Sequence, residues 1–246
     1  MNTKSIKNLK SLRHRKYRNI HGKFLIEGKR LIKSAMDWST SIESIFCTKK
    51  FYKNNKEWKG FAIKNDSIIE YVSERQIEDI SLTKTPSGIA ATCKIIHEEK
   101  INYLKQSKWI YLDKIRDPGN LGSILRSAFW FGIKNIALSD SSVDAYNPKT
   151  IRSGMGAHFG LRLYRDIELD VFNKTHMLIG AAKNGLDIRK FNFPDKFVLV
   201  LGNEAHGISL NNQKRIENFV TVKKIGEGES LNISSAAAVL MYELNK

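Results

Sequence analysis

The sequence predicts an α/β protein of two modules, the second and larger of which contains a parallel sheet. Short apolar runs of strand length alternate with helix-like stretches in both halves of the chain. A polar, charged stretch, HEEKINYLKQSK, separates the two alternations. A length of 246 residues and an apolar fraction of 41% allow each module its own core.

The first module, residues 1–96, combines helices with three short strands. KSIKNLKSLRHRKYR is typical of a basic helix, and FLIEGKRLIKSAMDW of an amphipathic helix with Leu25, Leu31, Ile32 and Ala35 on one face. SIESIFCT, SIIEYVS and GIAATCKI have the length and composition of strands. SERQIEDIS begins with serine and carries acid early, which predicts a short helix. Residues 97–107 are predicted to form a linker.

The second module, residues 108–246, alternates more regularly. The predicted strands are WIYLD, NIALSD, MLIGAA, FVLVLG and VTVKK, and the predicted helices are NLGSILRSAFWFG, NPKTIRSGMGA, SLNNQKRIENF and SLNISSAAAVLMYELNK. Continuous apolar strands bounded by helices favour a parallel sheet covered on both faces. Such sheets bind ligands outside the carboxyl ends of their strands. The last helix is apolar or small almost all the way round, which predicts that it is buried or forms half of a dimer interface.

The charge of the chain is strongly and unevenly positive. The formal net charge is +16, and residues 1–33 contain eleven lysines and arginines against a single acid, Glu27. This distribution predicts a polyanionic partner, with nucleic acid favoured over an anionic membrane. The alternative is a solvated basic arm that only keeps the protein soluble.

Several classes of site are not indicated by the sequence. Cys47 and Cys93 are the only cysteines, and no Cys/His set has metal-ligand spacing, so we expect no metal site and buried, reduced thiols in the cytoplasm. No apolar run reaches the length of a membrane span, and the N-terminus lacks the apolar stretch of a signal peptide. The motifs GxxxxGK[ST] and GxSxG are absent. His158 and His206 are isolated and are predicted to be structural.

The stretch DPGNLGSILRSAFWFG, residues 117–132, joins a turn to an apolar helix. Asn120 is placed to cap that helix, and Gly122 permits a close approach. Arg126 lies off the apolar stripe. That stripe consists of Leu121, Ile124, Leu125, Ala128 and Phe129. A helix N-terminus rich in Gly and Asn can bind an anion, although a capped helix with one solvated arginine fits the residues equally well.

Two further junctions combine glycine with polar side chains. In LVLGNEAHGIS, an apolar strand leads into Gly202, Asn203 and Glu204. In GEGESLNISSAAAVLMYE, a glycine loop leads through Ser230 and Asn232 into the last helix. A tight turn capped by Ser209 is the alternative reading of the first of these.

Together the three junctions resemble the three motifs of the SpoU (TrmH-type) family of RNA ribose 2′-O-methyltransferases, in the SPOUT class. The similarity covers about Trp109 to Glu243, including the stretch NPKTIRSGMGAHFGL, and the order of the three motifs makes it specific. KYRNIHGKFLIEGKRLI is similar to the start of the ribosomal-protein-like substrate-binding domain that often accompanies this family. The resemblance implies a homodimeric, knotted domain in which the C-terminal segment threads a loop to form a trefoil.

The resemblance also implies a cofactor and functional residues. The cofactor is S-adenosylmethionine, held largely by backbone groups, and ribosomal RNA is favoured over transfer RNA as the substrate. The implied catalytic residues are Arg126, Asn120, Glu204, Ser230 and Asn232, and the implied cofactor-binding residues are Gly202, Val222, Leu231 and Asn232. Arg126 would grip the target phosphate and ribose, and Asn120 would orient that arginine or the ribose. The other catalytic residues would hold the loops and the substrate edge.

The basic residues of the first module are then expected to hold RNA phosphates. The candidates are Arg13, Arg15, Lys16, Arg18, Lys23, Lys29 and Arg30, together with Arg152 of the second module. The chain departs from the family pattern at Lys223 and Lys224, where proline and an apolar residue are usual. This departure favours one alternative, a non-catalytic RNA-binding or ribosome-assembly factor on the same scaffold. A base methyltransferase, which fits the first motif less well, and a DNA-binding protein, which the charge allows, are further alternatives.

Overall fold

The computed structural model describes residues 1–58, 60, 69–83, 85–96 and 106–244. The chain divides into two compact units, one formed by Met1–Ile96 with Tyr146–Ile151, the other by His97–Ala145 with Arg152–Lys246. Most of the proposed linker, residues 97–105, lies outside the described residues, and the predicted domain limits stay a prediction. No helix in the described ranges is both long enough and apolar enough to cross a membrane.

The first unit is a four-stranded mixed sheet with helices packed on it. Its elements are α1 (Thr3–Ser11), α2 (Arg15–His21), β1 (Lys23–Glu27), α3 (Lys29–Asp37), β2 (Ile42–Thr48), α4 (Lys49–Asn54), β3 (Ile69–Val72), α5 (Glu74–Ile80) and β4 (Ile89–Lys94). The strand order is β1-β4-β2-β3, with β4 antiparallel to both neighbours and β2 parallel to β3. A core cluster that includes Leu9, Leu12, Phe46 and Ile80 joins α1 and α5 to the sheet.

Two helices predicted in this unit are wrong in their extent. The expected helix FLIEGKRLIKSAMDW is a strand followed by a helix, because Gly28 takes a φ of +93° that turns the chain between β1 and α3. The expected single basic helix is two helices, α1 and α2, separated at residues 12–14. The helix over SERQIEDIS is confirmed as α5, and Ser73 and Gln76 form a capping box at its start. Cys47 and Cys93 are free and buried, as predicted.

The second unit is built on a six-stranded, fully parallel sheet, which confirms the predicted architecture. Its elements are β5 (Lys108–Leu112), α6 (Pro118–Trp130), β6 (Asn135–Leu138), α7 (Pro148–Gly154), β7 (Arg162–Tyr164), β8 (Met177–Asp187), β9 (Phe197–Leu201), α8 (Leu210–Gln213), β10 (Asn218–Thr221) and α9 (Ile233–Glu243). The residues of α7 up to Ile151 group with the first unit. The strand order is β10-β8-β9-β5-β6-β7. Every residue of β9 is buried, as is every residue of β5 except Lys108. The threading of the chain that the resemblance implies stays a prediction.

Helix α6 begins at Pro118, two residues before the predicted start at Asn120. Its N-cap is Asp117, whose Oδ1 accepts a hydrogen bond from the Asn120 backbone N–H at 2.8 Å, and Pro118 occupies the first turn. The expectation that Asn120 caps the helix is therefore wrong, and its side chain is available for other contacts. The helix predicted over SLNNQKRIENF is also shorter than expected, since α8 ends at Gln213 and β10 starts at Asn218.

His158 lies in the core of the second unit, where its Nε2–H donates to the Ala145 carbonyl oxygen at 2.8 Å. A carbonyl oxygen can only accept, so this contact fixes the tautomer. Burial lowers the pKa of His158 from 6.5 to about 4, outweighing the Ala145 hydrogen bond and the Asp144 charge, which both raise it. The ring is therefore neutral at neutral pH.

We predict that His158 makes the stability of the fold depend on pH. Because its pKa is lower in the folded than in the unfolded chain, this contribution is complete above pH 6.5 and is lost as the pH falls towards 4. The free energy of unfolding should fall by roughly 3 kcal/mol across this window. Urea unfolding at several pH values measures it, with His158→Gln as the control, since glutamine donates a hydrogen bond but does not titrate. Parallel pH profiles for wild type and His158→Gln would contradict the assignment.

Candidate functional site

The candidate site lies at the carboxyl edge of the parallel sheet. Because β5, β9 and β10 run in the same direction, the segments that follow them all leave the sheet at this edge. The first leads into α6, the second is the loop Gly202–Ser209, and the third leads into α9. These are the three glycine-bearing junctions that the sequence singles out.

Asn120 connects the three segments through both ends of its side-chain amide. Its Nδ2 donates to Glu204 Oε1 at 3.0 Å, and its Oδ1 accepts from Asn232 Nδ2 at 3.0 Å. Asn232 is in turn the N-cap of α9, and its Oδ1 accepts from the Ser234 backbone N–H at 2.8 Å and from the Ser234 hydroxyl at 2.6 Å. Three predicted site residues are thus in direct contact, and the orientation of the Asn120 amide is fixed.

The loop after β9 is closed on itself by Asn203. Its backbone N–H and C=O both pair with Gly207, at 2.8 and 2.9 Å, and its Oδ1 accepts from the N–H groups of Ala205 and His206. A Cβ on Gly202 would lie 2.2 Å from the Gly207 carbonyl carbon, so only glycine fits at the base of this loop. The exposed Glu204 is therefore presented by a tight turn.

Asp113 and Lys114 anchor this loop to the end of β5. Neither residue is among those predicted for the site. Asp113 is 1% exposed, and its Oδ2 accepts from the Ser209 backbone N–H at 2.7 Å. Lys114 has a φ of +58°, rare for a residue with a side chain, and its carbonyl oxygen accepts from Asn203 Nδ2 at 2.9 Å. A carboxylate directly after four apolar residues of β5 is the sequence signal that could have identified Asp113.

Two predicted catalytic residues lie outside the hydrogen-bonded group. Arg126 is exposed on α6, and in the described part of the chain its guanidinium forms no hydrogen bond or ion pair. Ser230 is exposed two residues before Asn232, and its hydroxyl likewise has no partner among the described residues. Both side chains are available to a ligand.

The segment between β10 and α9 contains the predicted cofactor contacts Val222 and Leu231. It includes no helix or strand, and the backbone of residues 223–231 forms no backbone hydrogen bond to any described residue. Backbone polar groups of this kind pair with water or with a ligand. The same segment exposes apolar side chains, since Leu231 is 56% and Ile225 90% exposed. Within the described ranges, no group of three or more His, Cys, Asp or Glu residues is arranged to hold a metal ion.

The basic candidates of the first unit differ in their surroundings. Arg13, Arg15, Lys16 and Arg30 are exposed. Arg152, in the second unit, is exposed as well.

Three other basic candidates are engaged within the protein. Lys23 pairs with Glu43 at 3.1 Å, and Lys29 pairs with Glu57 and Asn55. The expectation that Arg18 holds an RNA phosphate is corrected, because its side chain is 2% exposed and its Nη1 donates to the Leu12 carbonyl oxygen at 2.8 Å. The guanidinium of Arg18 stabilises the turn between α1 and α2 and is not accessible to an RNA phosphate.

Each of the two units matches a known protein family. Residues 107–242 match the SpoU rRNA Methylase family, and residues 3–91 match the MRM3-like substrate binding domain. The chain is 30% identical over 244 residues to the 23S rRNA (guanosine(2553)-2′-O)-methyltransferase RlmP of Bacillus subtilis (strain 168), covering 97% of this chain and 95% of that protein. It is 36% identical over 163 residues to the mitochondrial rRNA methyltransferase 3 of Homo sapiens, covering 64% of this chain and 38% of that longer protein.

A solved structure shares the fold of the whole chain. This is the SpoU methyltransferase AviRb from Streptomyces viridochromogenes in complex with the cofactor AdoMet. Its TM-score is 0.87 at 22% sequence identity, with 99% of this chain and 97% of that chain covered. At this level of identity the likeness shows the fold.

We predict that Asn120→Ala loosens the segments that Asn120 connects. The substitution removes both side-chain hydrogen bonds, each of which contributes about 0.5–1.5 kcal/mol, while the buried sheet is untouched. Hydrogen exchange should therefore become faster at the paired N–H groups of residues 203–209 and of the first turn of α9, and stay unchanged in β5 and β9. Asn192→Ala, at an exposed asparagine outside these segments, is the control. Equal exchange in both variants would show that Asn120 does not hold these segments.

Proposed function

Because the chain belongs to the SpoU rRNA methylase family, we propose that it transfers the methyl group of S-adenosylmethionine to a ribose 2′-hydroxyl of ribosomal RNA. The observation that supports this most strongly is the contact of Asn120, Glu204 and Asn232, one residue from each of the three motifs. The Bacillus subtilis relative is named for the same reaction on 23S rRNA. Ribosomal RNA is therefore favoured over transfer RNA as the substrate.

The residues at the carboxyl edge of the sheet fit S-adenosylmethionine. Gly202, Val222, Leu231 and Asn232 would hold it, and the unpaired backbone groups of residues 223–231 match its polar atoms. The exposed apolar side chains of Leu231 and Ile225 suit an adenine ring. When bound, this cofactor supplies a methyl group made electrophilic by its sulfonium. Lys223 and Lys224, exposed in the same segment, take the place of the usual proline and apolar residue.

Arg126 is proposed to act on the RNA. A guanidinium stays protonated and only donates hydrogen bonds, so Arg126 is not a general base. Its planar fork can grip a phosphate and stabilise the negative charge that develops on the ribose oxygen. Asn120, with both ends of its amide engaged, holds the start of α6 against the two loops. Glu204, Ser230 and Asn232 position the loops and the edge of the substrate.

The basic surface of the first unit is proposed to hold the RNA by its phosphates. Arg13, Arg15, Lys16 and Arg30 are exposed there, and Arg152 is exposed in the second unit. Contacts of this kind are largely independent of sequence and weaken as salt rises. A cytoplasmic location fits the two reduced thiols and stays a prediction.

A homodimer is also proposed, formed through the face shared by α6 and α9. Trp130 on α6 is 83% exposed, and Val239 and Tyr242 on α9 are 39% and 54% exposed. Exposed apolar side chains on two helices that pack on each other are typical of an interface. Sedimentation equilibrium should give twice the chain mass of 28.1 kDa, and Trp130→Glu should give the monomer. A monomeric wild-type protein would contradict this arrangement.

We predict that Arg126→Ala abolishes methyl transfer without weakening cofactor binding. Loss of a group that stabilises developing charge lowers turnover by roughly 100- to 1,000-fold. Arg126→Lys keeps the charge but loses the fork, so its activity should be intermediate. Transfer of labelled methyl groups to ribosomal RNA measures turnover, and calorimetric titration measures cofactor affinity.

Arg215→Ala is the control, since Arg215 lies in the same unit and its guanidinium pairs with Asn211 and Asp170, outside the three segments of the site. Near-wild-type turnover of Arg126→Ala would remove Arg126 from the mechanism. A wild-type chain that binds no S-adenosylmethionine would instead support the non-catalytic alternative.

A further inference from the structure

An open cleft lies between α1 and α2 of the first unit, and all of its lining residues belong to these two helices and the turn that joins them. Its volume is about 560 Å³, within the range of about 300–1,000 Å³ that small-molecule sites occupy. Residues from both helices line it, and none of them is acidic. The cleft lies within residues 3–91, which match the MRM3-like substrate binding domain.

The charges in the cleft are positive and largely uncompensated. Lys4, Lys7, Lys10 and Arg13 line it. Lys10 pairs with Asp79 of α5 at 2.8 Å. Among the residues that the structure describes, Lys4, Lys7 and Arg13 have no acidic partner within ion-pair distance. Three such cations in one concave surface attract a polyanion.

Aromatic rings form one side of the cleft. His14, Tyr17 and His21 follow one another at helical spacing. The Tyr17 and His21 rings lie within 17° of parallel with centroids 6.3 Å apart, and the His14 ring meets Tyr17 at 66°. Tyr17 is 40% exposed, so part of the ring surface is open to a ligand. Nucleic-acid bases stack on rings presented in this way.

The cleft is held in shape by the buried Arg18. Its hydrogen bond from Nη1 to the Leu12 carbonyl oxygen, at 2.8 Å, fixes the turn between the two helices. Asn2 caps α1 by accepting the Ser5 N–H at 2.8 Å. The two helices that carry the cations and rings are therefore held in place before a ligand arrives, which reduces the entropy lost on binding.

We propose that this cleft binds a single-stranded segment of the RNA substrate, with phosphates on Lys4, Lys7 and Arg13 and a base stacked on Tyr17 and His21. The proposal rests on the proposed function in that the substrate is RNA. A single strand is favoured over a duplex because the bases of a duplex are already stacked on each other and cannot reach the Tyr17 ring. The cleft thus reads an unpaired region, separately from the target ribose at the sheet edge.

The test uses the full-length chain and a fluorescein-labelled ten-nucleotide oligoadenylate, with a ten-base-pair RNA duplex as the second probe. Fluorescence anisotropy should show tighter binding of the single strand. Tyr17→Ala should weaken it roughly 5- to 100-fold, the loss expected for one stacked base, while Tyr17→Phe keeps the ring and the affinity. Tyr71→Ala, at a tyrosine of similar exposure on β3, is the matched control.

Affinity for the single strand that is unchanged in Tyr17→Ala, or equal affinity for both probes, would overturn the proposal. Methyl transfer to ribosomal RNA separates this failure from failure of the proposed function. The cleft alone is wrong if transfer occurs and its KM is insensitive to Tyr17→Ala. The proposed function is wrong if the wild-type chain transfers no methyl group, whatever the oligonucleotide measurements show.

Discussion

Two side-chain hydrogen bonds, from Asn232 to Asn120 and from Asn120 to Glu204, join the segments that follow three strands of the parallel sheet. The partners are 112 and 84 residues apart in the chain, so nothing local brings them together. The common direction of β5, β9 and β10 does so, by delivering all three segments to one edge. The sheet supplies proximity, and the Asn120 amide supplies orientation. A methyl transfer reaction needs both, because holding the reacting groups in line can lower its barrier by roughly 7–11 kcal/mol.

The site combines a rigid base with open loops. Strands β5 and β9 are almost fully buried, and Asp113 and Gly202 fix the loop that leaves β9. The segment after β10 has no backbone pairing among the described residues and exposes Leu231. A stable scaffold that presents less constrained loops is the usual arrangement of a binding site. Ordering of this segment by a cofactor would complete the site.

The convergence of the three junctions could be predicted from the sequence, because apolar strands interrupted by helices favour a parallel sheet whose strands end at one edge. The contacts within the site could not. Asp117, and not Asn120, caps α6, so the Asn120 amide is available for other contacts. Only the path of the turn decides which of the two residues caps the helix. Arg18 lies within a run of basic residues that looks uniformly exposed, yet it is buried because it closes the α1–α2 turn. The hydrophobic periodicity predicts one helix through Gly28, but the positive φ of Gly28 divides the segment into β1 and α3.

The most direct measurement is the chemical position of a transferred methyl group. The full-length chain, labelled S-adenosylmethionine and unmodified ribosomal RNA are incubated, and the RNA is hydrolysed with alkali. A methyl group on a ribose 2′-oxygen removes the nucleophile for cleavage of the adjacent phosphodiester. The account therefore predicts label in alkali-resistant dinucleotides. Label in single nucleotides, which places the methyl group on a base, or no label in the RNA, would contradict it.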